Sequence, residues 1–169
     1  NPIGIKVGPK FEPSELTKLI SALNPENEPG RITLIHRFGA DNVNACLPPI
    51  IDAVQTANQK VLFCSDPMHG NTFSTNSGIK TRSFDKIASE LETAFQIHRK
   101  QGSILGGVHL ELTGDNVTEC IGGSGKLAEP DLERAYKSQV DPRLNYDQAM
   151  ELAFLVADNM KSNNDHLQE

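Results

Sequence analysis

The feature that most constrains the fold of this chain is a set of four short apolar runs, separated by stretches with helical periodicity. The runs are mostly continuous rather than alternating, which is typical of strands covered on both faces in a parallel α/β sheet. The first three runs begin about 29 residues apart, and the fourth begins about 45 residues after the third. They predict strands at Ile3–Val7, Ile32–Arg37, Lys60–Ser65 and Gly106–Leu112.

The segments between these runs have the apolar spacing and end signals of amphipathic helices. The first predicted helix runs from Pro13 to Leu23, and the second starts from a cap at Asp41 and is kinked or delayed at Pro48-Pro49. A third runs from Ser83 to Gly102, and a weaker one spans Pro130–Ser138. The last starts from a cap at Asn145 and has Met150, Phe154 and Met160 on one face. Four βα units predict either an open doubly wound sheet or part of a (β/α)₈ barrel, because a barrel needs eight strands to close.

Composition narrows the class of protein. The 169 residues carry 16 Lys and Arg against 22 Asp and Glu, a net charge of −6, and we therefore expect no nucleic-acid partner. No apolar run approaches the roughly 18 residues that cross a membrane, so we expect no membrane partner. Three widely spaced cysteines without a CxxC motif indicate reduced thiols. The start at Asn1, without Met or a signal-type region, predicts a segment of a longer polypeptide.

Five ionisable side chains fall at or after the ends of the predicted strands. They are Lys6, Arg37, His69, Glu111 and Asp141. In parallel α/β folds the carboxyl ends of the strands share one face, so these residues are expected to converge on one site. Each residue alone is more often structural, but Lys6 and Glu111 interrupt runs that otherwise look buried, where a charge is costly without a partner or ligand.

The five side chains divide into two chemical sets. His69, Glu111 and Asp141 supply one imidazole and two carboxylates, a ligand set that suits Mn²⁺, Fe²⁺, Co²⁺ or Zn²⁺. Lys6 and Arg37 supply fixed positive charge, and arginine offers a fork suited to phosphate or carboxylate. A metal beside an anion clamp predicts Lewis-acid chemistry on a phosphorylated metabolite. A metal-dependent hydrolase is less favoured, because it leaves the Lys6–Arg37 pair unexplained and lacks a clear base.

A glycine-rich stretch, Gly122–Lys126, is similar to a phosphate-binding loop but lacks two of its required residues. The pattern needs Gly at position 120 and Ser or Thr at position 127, where this chain has Cys120 and Leu127. We therefore predict a flexible turn there.

Several motifs, in order along the whole chain, resemble type II 3-deoxy-D-arabino-heptulosonate 7-phosphate (DAHP) synthase, the first enzyme of the shikimate pathway. The motif-bearing stretches are Asn1–Pro9, Asn24–Arg37, Asp66–Thr72, Gly78–Asp85, Gly106–Glu119 and Asp141–Asn145. The most specific are DPMHGNT, HLELTG and DPRLN. The resemblance implies that residues 1–169 are the carboxyl-terminal half of a (β/α)₈ TIM barrel, its last four βα units, within a larger single catalytic domain.

The resemblance also implies an activity and roles for residues. The expected reaction is a metal-dependent, aldol-type condensation of phosphoenolpyruvate with erythrose 4-phosphate and water, giving DAHP and phosphate. Lys6 and Arg37 would bind phosphoenolpyruvate and act in catalysis, while His69, Glu111 and Asp141 would bind the metal, Mn²⁺ or Co²⁺ before Zn²⁺ or Fe²⁺. Lys80 and Arg82 are expected as secondary phosphate contacts. The protein is expected to be a homo-oligomer in the cytoplasm, or in the plastid of a plant.

One part of the family's site is missing from this sequence. The family's fourth metal ligand is a cysteine in the amino-terminal half, and none of Cys46, Cys64 and Cys120 lies in a matching motif. We therefore predict that this chain alone has no turnover. The alternative is a non-catalytic half-barrel that serves assembly or regulation with a partner chain.

Overall fold

The structure is a computed structural model that describes the backbone of residues 1–165 and the side chains of residues 1–161. The strands are β1 (Ile3–Val7), β2 (Ile32–His36), β3 (Leu62–Ser65), β4 (Thr72–Ser74), β5 (Lys80–Arg82) and β6 (Leu105–Val108). The helices are α1 (Pro13–Leu23), α2 (Val43–Thr56), α3 (Phe84–Lys100) and α4 (Tyr146–Asp165), with 3₁₀ turns at His69–Asn71 and Glu129–Arg134.

The main sheet is parallel and keeps the order of the chain, β1-β2-β3-β6, while β4 and β5 form a separate antiparallel hairpin. Right-handed crossovers between successive neighbours place the helices on one face of the sheet. In agreement, α1 contacts α2, α2 contacts α3, and α3 contacts α4. A doubly wound sheet reverses its strand order. The order of the four strands in the main sheet does not reverse, which is compatible with part of a barrel, and the α/β architecture with a parallel sheet is confirmed.

The hydrophobic core lies between the sheet and these helices. Leu34, Phe63 and Leu105 are in register on neighbouring strands and are buried. The opposite face carries the next row of side chains, where Lys6 is in register with Ile35. Leu62, on this second face, is 46% exposed. The sheet therefore buries one face well, whereas the other is open among the described residues.

The predicted strands match the observed ones most closely at the start of the chain. β1 has the predicted bounds, β2 ends one residue early, and β3 begins at Leu62 rather than Lys60. The fourth strand ends at Val108 instead of continuing to Leu112. The backbone N–H of His109 still donates to the carbonyl of Ser65 (2.7 Å), the last residue of β3, and beyond this bond Leu112 pairs with Leu144 instead of with β3.

The helix predictions were right in position for α1, α3 and α4 and wrong in two details. Asn42 rather than Asp41 is the N-cap residue of α2, and Pro48 and Pro49 lie inside this helix without delaying its start. Packing of its apolar face against the core holds the helix across these prolines, which each remove a backbone donor. The predicted helix at Pro130–Ser138 is only the 3₁₀ turn Glu129–Arg134.

The last helix has the predicted cap but a different orientation. The Asn145 side chain accepts from the Gln148 N–H (3.0 Å), and the Gln148 side chain accepts from the Asn145 N–H (3.2 Å). Leu152 faces the core, whereas Phe154 is 65% exposed and Met150 and Met160 are also exposed. The predicted apolar face of α4 therefore points away from the described core.

The glycine-rich stretch is a turn, as predicted. The N–H of Gly122 donates to the carbonyl of Leu127 (2.8 Å), which closes the turn on itself. Both Gly122 and Gly123 have positive φ, 86° and 77°, a region that side-chain-bearing residues rarely adopt.

The core contains two histidines whose burial was not predicted from the sequence. His36 on β2 and His98 on α3 are both buried, with ring centroids 5.9 Å apart. Burial lowers the pKa of His36 to about 3 and that of His98 to about 4. Both rings are therefore neutral at physiological pH.

The cysteines are free thiols, as predicted. Cys64 and Cys120 are buried, Cys46 is half-buried, and burial raises the pKa of Cys120 to about 12. Among the described helices, none combines the length and the apolar character that crossing a bilayer requires.

Candidate metal and anion site

The three predicted metal ligands lie together at the carboxyl end of the main sheet. His69 is in the 3₁₀ turn after β3, Glu111 follows β6, and Asp141 precedes α4. The His69 Nε2 atom is 3.5 Å from Glu111 Oε1 and 3.6 Å from Asp141 Oδ2. One ligand atom from each residue lies within 4.8 Å of the other two. The structure therefore brings together side chains that are up to 72 positions apart (69 to 141).

Backbone pairing brings the two carboxylates to the same place. The N–H of Thr113 donates to the carbonyl of Leu144, and the N–H of Leu144 donates to the carbonyl of Glu111, both at 2.9 Å. These bonds align the segment after β6 with the loop before α4 in parallel. Glu111 and Asp141 are thus delivered to one site by chain segments that lie side by side.

The two predicted anion-binding residues lie at the same edge of the sheet, and of the two, Lys6 is linked to the cluster through Asp66. Its ammonium group donates to the carboxylate of Asp66, which also binds the ring of His69. Arg37 follows β2 directly, and its N–H donates to Val7 (2.9 Å). Its side chain is exposed and has no ion pair among the described residues. Arg37 therefore presents a guanidinium group that is available for an anion.

Lys80 and Arg82, predicted as secondary phosphate contacts, bind the two carboxylates of the cluster. The Lys80 ammonium group pairs with Asp141 Oδ1 and the Arg82 guanidinium group pairs with Glu111 Oε2. Each carboxylate thus has one oxygen bound to a cation and the other directed at His69. The Lys80 hydrogen bond is the main reason that the pKa of Asp141 is lowered.

Arg82, the second of these predicted phosphate contacts, is fully buried. Its Nη1 atom also donates to the carbonyl of Pro142 (2.6 Å), and its Nε atom donates to Thr72 Oγ1 (2.7 Å). Arg82 consequently ties the β4–β5 hairpin to Glu111 and to the loop that carries Asp141. No sequence signal distinguished this arginine from an exposed one.

Asp66 is the main site residue that the strand-end prediction missed. It follows β3 directly and is completely buried. Burial raises the pKa of its carboxyl group, but hydrogen bonds from Lys6 and His69 outweigh burial, so the pKa lies below its usual value. Its position in the sequence could have identified it, because Asp66 is a carboxylate that comes immediately after the predicted strand Lys60–Ser65.

A second missed residue, Glu119, organises the loop that carries Asp141. Its buried carboxylate accepts backbone hydrogen bonds from Lys137 (3.0 Å), Ser138 (2.8 Å) and Arg143 (2.8 Å). It also accepts from Nε and Nη2 of the Arg143 guanidinium group, at 2.9 and 2.7 Å. Burial raises the pKa of Glu119, yet these donors hold it below its ordinary value. The loop on both sides of Asp141 is therefore fastened to one anion.

A third buried carboxylate, Glu90 on α3, supports the loops nearest the site. It accepts from the N–H groups of Phe38 (2.9 Å) and Gly39 (3.0 Å) and from the Asn71 side chain (2.7 Å). Burial raises the pKa of Glu90 to about 7. Gly39 has a φ of 83°, and a Cβ there would lie 2.7 Å from the carbonyl oxygen of Gly70. The loop after β2 and the turn containing His69 are thus held in close contact.

The donor set fits a divalent transition metal. One imidazole nitrogen and two carboxylate oxygens converge, and positively charged partners hold the remaining carboxylate oxygens. The cluster contains three ligands and no cysteine among the described residues. Zinc commonly takes four protein or solvent ligands, so His69, Glu111 and Asp141 would supply three positions of such a coordination shell.

The fold and this site define an α/β protein with a candidate divalent-metal centre and adjoining cations at the carboxyl end of a parallel sheet. A profile of the class-II DAHP synthetase family matches residues 1–157. This match covers most of the chain, and the chain belongs to that family.

Two curated relatives are each named phospho-2-dehydro-3-deoxyheptonate aldolase. The protein from Neurospora crassa is 53% identical over 163 residues, which cover 95% of this chain and 34% of the relative. The protein from Mycolicibacterium smegmatis is 47% identical over 161 residues, which cover 95% of this chain and 35% of the relative. The chain therefore spans about a third of the length of these relatives.

Proposed function

We propose that the complete protein containing this chain is a DAHP synthase, a transferase that condenses phosphoenolpyruvate with erythrose 4-phosphate and water to give DAHP and phosphate. The observation that carries the proposal is the convergence of His69, Glu111 and Asp141 beside Lys6, in a chain of the class-II DAHP synthetase family. The names of the two relatives agree with this reaction.

We further propose that residues 1–169 form the carboxyl-terminal half of a (β/α)₈ barrel that is completed by an amino-terminal half. Parallel sheets are normally covered on both faces, whereas this sheet leaves Lys6 and Leu62 exposed opposite the helices. Its strand order never reverses, as in a barrel wall. The exposed apolar stripe of α4, with Phe154 at its centre, supplies a second surface that a further βα unit would cover.

Positioning of phosphoenolpyruvate is assigned to the two cations at the sheet edge. Arg37 has a free guanidinium fork suited to two oxygens of a phosphate or carboxylate group, and Lys6 is a compact ammonium donor beside the metal ligands. Holding both substrates so that the reacting carbons meet lowers the barrier mainly through orientation. Lys80, which is exposed and pairs with Asp141, is proposed to contact a second phosphate, whereas Arg82 acts from within the protein on Glu111.

The chemistry balances with these groups in place. A bond forms between C3 of phosphoenolpyruvate and the aldehyde carbon of erythrose 4-phosphate, whose oxygen takes up a proton. Water adds to C2 and loses a proton, which leaves a hydroxyl group there. The C2–O bond to phosphate then breaks as this hydroxyl gives its proton to the departing phosphate, which leaves the ketone. A bound divalent metal supplies Lewis-acid polarisation of the aldehyde oxygen. His69, Glu111 and Asp141 would hold it, with Mn²⁺ or Co²⁺ favoured over Zn²⁺ or Fe²⁺.

The oligomeric state and the cellular compartment of the complete protein are part of the same proposal. The protein is proposed to act as a homo-oligomer at the first step of the shikimate pathway. The cytoplasm, or the plastid of a plant, is the proposed compartment of that pathway.

The test is an assay of the complete protein with Mn²⁺, in which loss of phosphoenolpyruvate and release of phosphate are followed together. We expect both signals to require erythrose 4-phosphate, and Asp141→Ala or His69→Ala to abolish them. Asp131→Asn, which alters a partly exposed carboxylate that accepts from Arg134 and from the Ala128 N–H, is the control and should retain full activity. A complete protein that binds both substrates without forming DAHP would contradict the proposal.

The isolated chain provides a second test. Because it offers three of the four ligands implied by the family, we expect weak metal binding and no turnover. Native-like rates from residues 1–169 alone would show that the site does not depend on an amino-terminal half.

A further inference from the structure

Asp66 occupies the junction between the two halves of the candidate site. Its carboxylate accepts from the ammonium group of Lys6 and, at Oδ2, from Nδ1 of His69 (2.7 Å). Its Oδ1 atom accepts from the backbone N–H groups of Met68 (3.1 Å) and His69 (3.2 Å). Four donors from two separate chain segments therefore converge on one buried side chain.

These contacts determine which nitrogen of His69 faces the cluster. Asp66 is a carboxylate without a proton to donate, so Nδ1 must carry the hydrogen of the bond between them. In the neutral ring the Nε2 atom then keeps its lone pair, and it lies 3.5 Å from Glu111 and 3.6 Å from Asp141. A neutral ring in this tautomer is the form that binds a metal through Nε2, and a carboxylate behind the ring both orients it and raises its basicity.

Lys6 makes this arrangement possible inside the protein. A buried carboxylate without a compensating charge is unfavourable. The ammonium group of Lys6 supplies that charge from β1, while 39% of its own side chain remains exposed. The same ion pair fixes Lys6 close to His69, at the edge where phosphoenolpyruvate is proposed to bind.

From this geometry we infer that Asp66 is a positioning residue that sets the tautomer and orientation of His69 for metal binding. The inference rests on the proposed metal site and deepens it. Asp66 touches neither substrate nor metal in this arrangement, because both of its oxygens are directed at Lys6, His69 and the adjacent backbone.

A purely structural role for Asp66 makes a different prediction from a positioning role. The two backbone hydrogen bonds at Oδ1 form a local turn, which an asparagine can preserve through its own carbonyl oxygen. The asparagine amide, in contrast, presents hydrogens to Lys6 and to His69 Nδ1, where acceptors are needed. Asp66→Asn therefore keeps the turn and removes the anion behind the ring.

The experiment is a Mn²⁺ titration of the metal-free complete protein, in which free Mn²⁺ is measured by electron paramagnetic resonance. We expect Asp66→Asn to weaken Mn²⁺ binding by roughly 10–100-fold, the range for removing an outer partner of a metal ligand. Asp41→Asn is the matched control, since Asp41 also pairs with a lysine, Lys86 (2.8 Å), but at an exposed position. The control should bind Mn²⁺ as the wild type does.

A spectroscopic signature separates positioning from loss of structure. Electron spin-echo modulation of saturated wild type should show the nitrogen of a coordinated histidine, and Asp66→Asn should change or lose this signal while Asp41→Asn retains it. An unchanged nitrogen signal and an affinity within twofold of wild type would overturn the inference. If Asp66→Asn does not fold, Asp66→Glu, which keeps the charge but displaces it, carries the same test, and wild-type affinity in that variant would also overturn it.

The same measurements keep this inference separate from the proposed reaction. Wild-type protein that binds Mn²⁺ but forms no DAHP would refute the reaction, while the comparison of Asp66→Asn with wild type would still decide the role of Asp66. Wild-type protein that binds no Mn²⁺ would overturn both.

Discussion

Replacing Glu119 with glutamine offers a quantitative test of how the loop carrying Asp141 is held. Glutamine can retain the three hydrogen bonds at Oε1, from Lys137, Ser138 and Nη2 of Arg143. It loses the two at Oε2, from the N–H and Nε of Arg143, because its amide group presents hydrogens there. Hydrogen bonds to charged groups contribute roughly 1.5–3 kcal/mol each, so we expect the loop to lose about 3–6 kcal/mol from the two bonds.

Hydrogen exchange of the complete protein measures this loss locally. At about 1.4 kcal/mol per tenfold change, a loss of 3 kcal/mol corresponds to exchange roughly 100-fold faster in peptides that cover residues 137–144. We also expect weaker Mn²⁺ binding, because Asp141 lies between the fastened residues Ser138 and Arg143. Asp131→Asn removes the exposed pair with Arg134 (3.4 Å) and should change exchange by less than about fivefold.

The pH dependence gives an independent check on Glu119. Its pKa in the folded protein lies below the ordinary 4.5, so its contribution to stability is fully present above pH 4.5 and is lost as the pH falls through the folded value. The ratio of exchange rates between Glu119→Gln and wild type should therefore shrink toward one in acid. A ratio near one already at neutral pH would refute the reasoning.

Three further changes test other parts of the site and core. Lys6→Met should raise KM for phosphoenolpyruvate by roughly 10–100-fold in steady-state assays, because a charge-assisted contact is removed; an unchanged KM would exclude Lys6 from substrate binding. Arg82→Lys should weaken Mn²⁺ binding about tenfold in a titration, since lysine cannot bind Glu111, Pro142 and Thr72 together; wild-type affinity would contradict this. The unfolded chain protonates His36 and His98 below about pH 6.5, whereas burial in the folded protein lowers their pKa values to about 3 and about 4. The free energy of unfolding therefore falls as the pH drops below 6.5, and His98→Gln should make this fall less steep. The loss is at most about 1.4 kcal/mol per pH unit for each histidine, measured by denaturant unfolding at several pH values, and an unchanged slope would refute it.

Residues at strand ends could be predicted from the sequence because their position follows from topology alone. Once β1, β2 and β3 are parallel neighbours, Lys6, Arg37 and His69 must lie at one edge of the sheet. Glu111 was reached in the same way, although the strand before it is shorter than predicted. Asp141 was selected from a later loop, and the pairing of Leu112 with Leu144, which topology alone does not predict, brings it to the other two candidate ligands.

The supporting residues could not be predicted because their partners are distant in sequence and depend on packing. Arg82 is bound to Glu111, 29 positions away, and to the carbonyl of Pro142, 60 positions away. Glu119 is surrounded by donors that are 18 to 24 positions further along the chain. The prediction of which face of α4 meets the core was wrong for a related reason. Its apolar residues occupy more than one face, and periodicity alone does not say which face meets the core.

The two outer strands of the sheet have a practical consequence. Among the described residues, β1 pairs only with β2 and β6 only with β3, so each presents a row of backbone donors and acceptors along its free side. Such rows are templates for adding further strands, and β6 carries two glycines, Gly106 and Gly107, instead of charges that would discourage addition. We expect residues 1–169 expressed alone to self-associate through these strands, so preparations of this chain will need a solubilising partner.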